Sequence, residues 1–318
     1  MGECINVIEE MFKVLARGEA ILPLRSIVST PDKKGALVQM PAHLGSSTFN
    51  VIGGKFISVF PENLSTEYES HQGCILLFEC VNGRLLAVID ASSVTAIRTA
   101  SASAVATKVL ARNDAANLAI LGSGTQASMH LTAMREIRPI KRVRIWSRNK
   151  VHAENFVARH SHDLEIKSSD SPKEAVEDAD IICTTTATRD PILNGEWIPS
   201  GCHINAVGAS RPPSRELDSQ AVAKSRLYTD RMESLLNEAD DYRIPKSEGM
   251  LTDINLVGEI GQLLLGQIPG RTNDSEITIF KSLGIATEDL AVANHIYKKC
   301  EASKFGTWLD FSGMRADS

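Results

Sequence analysis

Several features are missing from this 318-residue chain, and each absence removes a class of function. There is no excess of basic charge. Against 39 Asp and Glu stand 34 Lys and Arg, a formal net charge of −5, so neither nucleic acid nor an anionic membrane is an expected partner. No apolar run approaches the roughly 20 residues of a membrane-spanning helix. The first residues lack the basic-then-apolar design of a secretion signal. The six cysteines (Cys4, Cys74, Cys80, Cys183, Cys202, Cys300) show no C-x-x-C spacing, which argues against a metal site or a disulfide framework. No metal is expected. The cysteines read as small buried hydrophobes in a reducing compartment, and a cytoplasmic location is the expectation. What remains, 43% hydrophobic and 23% charged residues, describes a globular chain long enough for two domains.

One stretch organises the rest: Asn117-Leu-Ala-Ile-Leu-Gly-Ser-Gly-Thr-Gln-Ala127. An apolar run reads as a buried parallel strand and breaks at Gly122-Ser123-Gly124; helical composition follows from Ala127 to Ile137. This is the dinucleotide fingerprint G-x-G-x-x-G/A with alanine in the third place. Gly122 permits the tight turn, Gly124 lets a pyrophosphate approach the backbone, and Ala127 allows close helix–strand packing. The helix N-terminus offers N–H groups and a positive dipole end to the phosphates.

Ahead of it, Cys4 to Ala16 has the spacing of an amphipathic helix. Ala36 to Met40 and Phe49 to Phe60 read as strands about a Gly45-Ser46-Ser47 loop. Cys74 to Phe78 and Arg84 to Ile89 flank Asn82-Gly83, a strong hairpin signal. Pro23, Pro31, Pro41 and Pro61 are expected at strand edges or loops. Ser93 to Leu110 reads as a long helix capped by Ser92 or Ser93. Beyond Asn117, strands are expected at Val143–Trp146, Leu164–Lys167, Ile181–Thr185, His203–Val207 and Leu227–Thr229, with Ser171 capping a helix from Lys173 to Ala179. Such alternation predicts an α/β fold, a Rossmann-type doubly wound parallel sheet preceded by an α+β unit. Its loops after Leu121, Trp146, Thr186 and Val207 should face the cofactor.

The second strand ends Ser147-Arg148-Asn149 without the carboxylate that binds a ribose 2′-hydroxyl in NAD-selective domains. Arg148 instead offers a fork suited to a 2′-phosphate, with Ser147 and Asn149 as further donors. NADPH is the expected cofactor, with NADH possible and weaker. Three cations lie in apolar surroundings: Arg25, Lys55 and Arg98. Buried cations need partners. Two explanations stay open: internal carboxylates, or a bound anionic substrate.

Several stretches together resemble the ornithine cyclodeaminase/μ-crystallin family, and most its ketimine reductase branch. They are Ser70–Phe78, Leu86–Asp90 with Val94–Thr99, Leu121–Gln126, Arg144–Arg148, His203–Pro212 and Phe280–Gly284. The resemblance implies a substrate-binding and dimerisation domain built from both chain ends (1–111 and 287–318) around a dinucleotide-binding domain (112–286). It also implies a homodimer formed through the substrate domains. By similarity, Arg25, Lys55 and Arg98 hold the substrate's α-carboxylate, Met40 lies beside the substrate, and Glu238 is a substrate-side acid. Ser70, His71, Gln72, Arg98, Thr99, Gly122, Ser123, Gly124, Thr125, Gln126, Thr186, Ala187, Val207 and Ser282 match cofactor-contacting positions, and Ser147, Arg148 and Asn149 match the segment around the 2′-phosphate. Ser210 stands on the substrate side, where cyclodeaminases carry an aspartate for their amine chemistry. A hydroxyl is a poor substitute for that base. Family members usually have a further strand and short helix ahead of the helix at Cys4, so part of the dimer-forming sheet is expected to be absent.

The activity implied is NADPH-dependent reduction of a small cyclic imino acid. Δ1-pyrroline-2-carboxylate would give L-proline, and Δ1-piperideine-2-carboxylate L-pipecolate. Lys55, Arg98 and Glu238 are the candidate catalytic residues, with Lys55 or a water held by Glu238 returning the proton. Ornithine cyclodeamination, an alanine- or opine-type dehydrogenase, and a binding protein without turnover are the alternatives.

Overall fold

The computed structural model describes residues 1–252 and 254–309. It divides into two compact units. One comprises Met1–Lys13 with Thr99–Gly284; the other comprises Val14–Arg98 with the chain from Ile285 onward. The expected boundaries at 111 and 287 thus differ from the observed ones, chiefly at the long helix Ala91–Leu110. Its later turns bond into the parallel-sheet unit: Thr107 Oγ1 accepts from Asn205 Nδ2 at 2.9 Å, and the Ser103 hydroxyl meets His130 Nε2 at 2.9 Å. The first helix follows the same unit through Glu9, which pairs with Lys108 at 2.9 Å. Beyond residue 309 the expected substrate domain lies outside the described residues.

The unit holding residues 14–98 is built on strands β1 (Ala20–Ile21), β2 (Ser26–Ser29), β3 (Ala36–Gly45), β4 (Asn50–Val59), β5 (His71–Glu79) and β6 (Leu85–Asp90). They form an antiparallel sheet in the order β1-β3-β4-β5-β6, with β2 also on β3. Alternation sets its two faces. Val38, Met40, Ala42 and Leu44 of β3 lie opposite Ile57, Lys55, Gly53 and Val51 of β4, and this buried face is covered by the helix Ala286–Ser303. Two local expectations are corrected. Pro41 sits inside β3, not at an edge or loop: β2 pairs with residues up to Gln39 and β1 with residues from His43, so no strand on that side needs its missing N–H. The cap of helix Ala91–Leu110 is Asp90, whose carboxylate accepts the Ser93 N–H at 2.7 Å, rather than Ser92 or Ser93.

The other unit carries β7 (Asn117–Leu121), β8 (Arg142–Trp146), β9 (Glu165–Ser168), β10 (Ile181–Thr184), β11 (His203–Ala206), β12 (Arg226–Thr229), β13 (Leu256–Glu259) and β14 (Thr278–Lys281). Their order is β13-β12-β14-β11-β10-β7-β8-β9, and every pairing is parallel. The chain runs from β7 outward through β8 and β9, then returns to β10 on the other side, so the switch point lies between β7 and β10. The last two strands were not anticipated. In β14 the fully buried Lys281 interrupts the apolar run, paired to Asp241 at 2.8 Å. Ser171 caps its helix as expected, accepting the Glu174 N–H at 3.1 Å.

Among the described residues no helix is long and apolar enough to cross a membrane, and no cluster of His, Cys, Asp or Glu could hold a metal ion. All six cysteines are free thiols.

Candidate functional site

In the parallel-sheet unit the fingerprint turn sits at the carboxyl end of β7. Gly122 has φ +120°, and a Cβ there would fall 2.7 Å from the Thr185 carbonyl oxygen, so only glycine fits. A Cβ on Gly124 would meet nothing within 4 Å: the space over this residue is open, and Gly124 is the N-cap of the helix Thr125–Ile137. Thr125 and Gln126 open that helix, and Ala127 is fully buried beneath it. Ser123 donates to the Ser147 hydroxyl at 3.0 Å, tying the fingerprint loop to the end of β8. Arg148, exposed, makes no ion pair among the described residues. Asn149 departs from the simple donor role: its side-chain oxygen caps the next helix by accepting the Val151 N–H at 3.0 Å, which leaves only its NH₂ to donate outward.

The loops after β10 and β11 are held by a residue that motif reading did not single out. Glu216, fully buried, accepts from the Thr184 hydroxyl, the Thr186 N–H and hydroxyl, and the Gly208 N–H, each at 2.7 Å. Burial pushes its carboxyl up; Lys281 opposes that and Asp241 adds to it. Asp241 in turn accepts the Glu216 and Leu217 N–H groups at 2.9 Å and pairs with Lys281. Thr186 is therefore fixed by a carboxylate, between buried Thr184 and exposed Ala187, while Val207 is buried at the end of β11 and Ser210 half-buried beyond it. The loop after β14 has its own buried acid, Asp230, which accepts the Leu283 and Gly284 N–H groups at 2.6 and 2.8 Å. Beside them Ser282 is 1% exposed and its hydroxyl has no hydrogen-bond partner among the described residues. An open backbone turn, a helix N-terminus and an orphaned buried hydroxyl, all at strand carboxyl ends, fit a dinucleotide. Gly122 to Gln126, Ser147, Arg148 and Ser282 would hold it.

In the antiparallel-sheet unit Lys55 on β4 lies directly opposite Met40 on β3, both on the buried face. The structure answers the question these cations posed. Lys55, 3% exposed, pairs with Asp289 at 2.8 Å and donates to Thr95 at 3.3 Å. Arg98, 4% exposed, places Nη1 2.6 Å from Glu288 and Nε 3.0 Å from Asp289. Internal carboxylates are thus found for Lys55 and Arg98. Arg25 is half-buried and close enough to act on the charge of Lys55. Burial, then Arg98 and Arg25, push the Lys55 ammonium down to about 8 against the pull of Asp289. Burial would raise the Asp289 carboxyl, but Arg98 and Lys55 outweigh it and hold it below the usual range. Arg98 is held above its ordinary value by the same two acids.

Counting donors, Nη2 of Arg98 and one proton of Lys55 have no acceptor among the described residues. Glu288 and Asp289 were not foreseen, though adjacent acids opening the otherwise apolar Ala286-Thr-Glu-Asp-Leu-Ala-Val-Ala-Asn294 are a readable anomaly. Ser70, His71 and Gln72 belong to this unit, at the start of β5, where the Ser70 hydroxyl meets His71 Nδ1 at 3.0 Å. Thr99, Ser210 and Glu238 belong to the other, Glu238 closing the helix Met232–Glu238.

A model of the ornithine cyclodeaminase/mu-crystallin family matches residues 1–304. The chain belongs to this family. It is 38% identical over 287 residues to the ketimine reductase mu-crystallin of Mus musculus, covering 90% of this chain and 88% of the relative. Among solved structures it is similar to the Δ1-pyrroline-2-carboxylate reductase of Thermococcus litoralis in complex with NADH and L-proline: 37% identity, TM-score 0.93, 97% of this chain and 96% of that one. It is also similar to an archaeal alanine dehydrogenase dimer with bound NAD, at 31% identity and TM-score 0.91, covering 98% of this chain and 95% of that one. The mixed α/β fold with its parallel sheet is common to these nicotinamide-dependent relatives.

Proposed function

We propose that this protein is an NADPH-dependent reductase of cyclic α-ketimine carboxylates, converting Δ1-pyrroline-2-carboxylate to L-proline and Δ1-piperideine-2-carboxylate to L-pipecolate. The observation that carries the reading is the buried pair of cations, Lys55 and Arg98, each with a donor to spare among the described residues. A single carboxylate satisfies both. Arg98 offers an Nη2 edge and Lys55 an N–H to its oxygens, with Arg25 adding charge, and such charge-assisted contacts fix orientation as well as affinity. Positioning supplies much of the rate in such a reaction. A bound nicotinamide supplies the hydride for the imine carbon. The protonated C=N is already electrophilic, so the chain has only to hold the acid group and return one proton to nitrogen, from Lys55 or from a water held by Glu238. Ser210 lacks the basicity that cyclodeamination of ornithine requires. Support for imino-acid chemistry comes from the likeness to a reductase bound to L-proline and to a ketimine reductase. NADPH rather than NADH rests on Arg148 and on the absence of a carboxylate at the end of β8.

The protein acts as a homodimer in this reading. The outer face of the antiparallel sheet carries exposed apolar side chains, among them Ile52 (46% exposed) and Val88 (58%), which a partner subunit would cover. The related archaeal alanine dehydrogenase is a dimer. Light scattering at micromolar concentration should return twice the chain mass, and a monomer would remove this part of the reading.

The test of activity is NADPH oxidation with each cyclic imine, beside pyruvate plus ammonium. Turnover with an imine and little with pyruvate supports the proposal. The reverse pattern makes the protein an amino-acid dehydrogenase, and tight NADPH binding without any oxidation makes it a binding protein.

A further inference from the structure

The proposed reaction leaves Asp289 without a task, yet among the described residues no other carboxylate pairs with both Lys55 and Arg98. It sits in the first turn of the helix Ala286–Ser303, fully buried, and its two oxygens are divided between two cations: Oδ1 takes Arg98 Nε at 3.0 Å and Oδ2 takes Lys55 Nζ at 2.8 Å. Neighbouring Glu288 takes Nη1 of the same arginine. With the Lys55 hydrogen bond to Thr95 these contacts use four donors and leave Arg98 Nη2 and one Lys55 proton; Asp289 is the one side chain that touches both cations directly among the described residues.

We propose that Asp289 is the positioning residue of the acid-holding site: it bridges Lys55 and Arg98 and thereby presents one donor from each cation to the carboxylate of an imino or amino acid. This deepens the reading above and rests on it. Glu288 cannot replace the bridge, since it reaches only Arg98 among the two. Burial lowers the proton affinity of Lys55, Asp289 raises it, Arg98 and Arg25 lower it, and Thr95 accepts a hydrogen bond. With Asp289 present the ammonium titrates at about 8. Neutralising the carboxylate removes the largest favourable influence, so the lysine must lose its proton at lower pH.

The experiment measures binding of pyrrole-2-carboxylate to the full-length protein by calorimetry between pH 6 and 10, for the unmodified chain, Asp289→Asn and Asp289→Glu. NADPH affinity, read by fluorescence, is the control for folding. Expected for the unmodified protein is affinity that falls as pH rises through about 8. In Asp289→Asn binding should weaken about tenfold or more at pH 7, the alkaline fall should move to lower pH, and NADPH affinity should be unchanged. Asp289→Glu, which restores the charge, should recover part of the affinity and return the fall toward higher pH. Unchanged affinity and pH profile in Asp289→Asn overturn the proposal. So does equal loss of NADPH binding, which would mark a merely structural role, and so does failure of the unmodified protein to bind the carboxylate. Because the readout is binding, a protein that shows the expected pattern but reduces no imine keeps this inference and loses only the proposed reaction.

Discussion

Both units bury carboxylates, and they use them in opposite ways. In the parallel-sheet unit Glu216, Asp230 and Asp241 accept mostly backbone N–H groups, seven in all with that of Arg231 included, and so give fixed shape to the loops at strand carboxyl ends. What such loops offer a ligand is main chain: an open turn at Gly124 and a helix N-terminus. In the antiparallel-sheet unit Glu288 and Asp289 accept from side-chain cations and fix those instead. What that unit offers is charged donors, incompletely used among the described residues. A buried cation partly paired by the protein costs less to keep than a naked one, while the unpaired remainder is what discriminates an acid group from water. The difference teaches that a buried ion pair and a ligand site are not rival explanations of an out-of-place arginine. Here the pair sets the angle at which the remaining donors are held.

The comparison breaks most readily at Arg98. Arg98→Met would take from Glu288 its arginine and leave Asp289 with Lys55 in a dry environment, and removing one partner of a buried ion cluster costs about 3–5 kcal/mol. The expected result is a clear fall in melting temperature and loss of pyrrole-2-carboxylate binding and imine turnover by about a hundredfold or more, with NADPH affinity in the surviving folded protein altered little. Calorimetry and a fluorescence titration on the same sample decide it. Equal loss of both ligands would mean the two units do not divide the work as described. Glu216→Gln is the mirror experiment. The amide nitrogen would face donors where an oxygen now accepts two of the four, at a cost of about 1–3 kcal/mol. NADPH affinity should weaken about tenfold or more while carboxylate affinity holds. A variant with normal NADPH affinity would show that these loops keep their shape without it.

The same division explains what the sequence disclosed. Local features were legible: the fingerprint lies within eleven consecutive residues, and Gly122 and Gly124 occupy the places their chemistry requires. Strand positions from β7 to β12 could be read because alternation with helices leaves short apolar runs between turn signals. β14 was hidden because Lys281 breaks its apolar run, and only the distant Asp241 makes a buried lysine tolerable. Asp289 was hidden for the same reason. Its partners lie about two hundred residues away in the chain, where spacing carries no information and only folding creates the contact. The three cations stood out as anomalies, yet whether acids of the chain or of a ligand balanced them was a matter of three-dimensional charge counting. Internal acids pair Lys55 and Arg98 and still leave a donor on each, so the two simple alternatives do not exclude each other.

The smallest effect expected is also the one confined most narrowly to one end of one ligand. Arg148 is exposed and bears on the nucleotide alone, at the end of β8 where no carboxylate competes for a ribose hydroxyl. Its contact with a 2′-phosphate would be charge-assisted but screened by solvent, worth about 1 kcal/mol or somewhat more. Arg148→Asp should therefore weaken NADPH about tenfold, leave NADH unchanged or improved, and spare carboxylate binding, melting temperature and the pH profile set by Lys55. Steady-state KM values for both nucleotides, with one imine at saturation, measure it. A variant that keeps its NADPH preference would remove Arg148 from the cofactor site and move the origin of that preference to the backbone and hydroxyls around Ser147. Loss of NADH and NADPH together would place the arginine on the pyrophosphate, where it would serve the same main-chain cradle that Glu216 and Asp230 hold in shape.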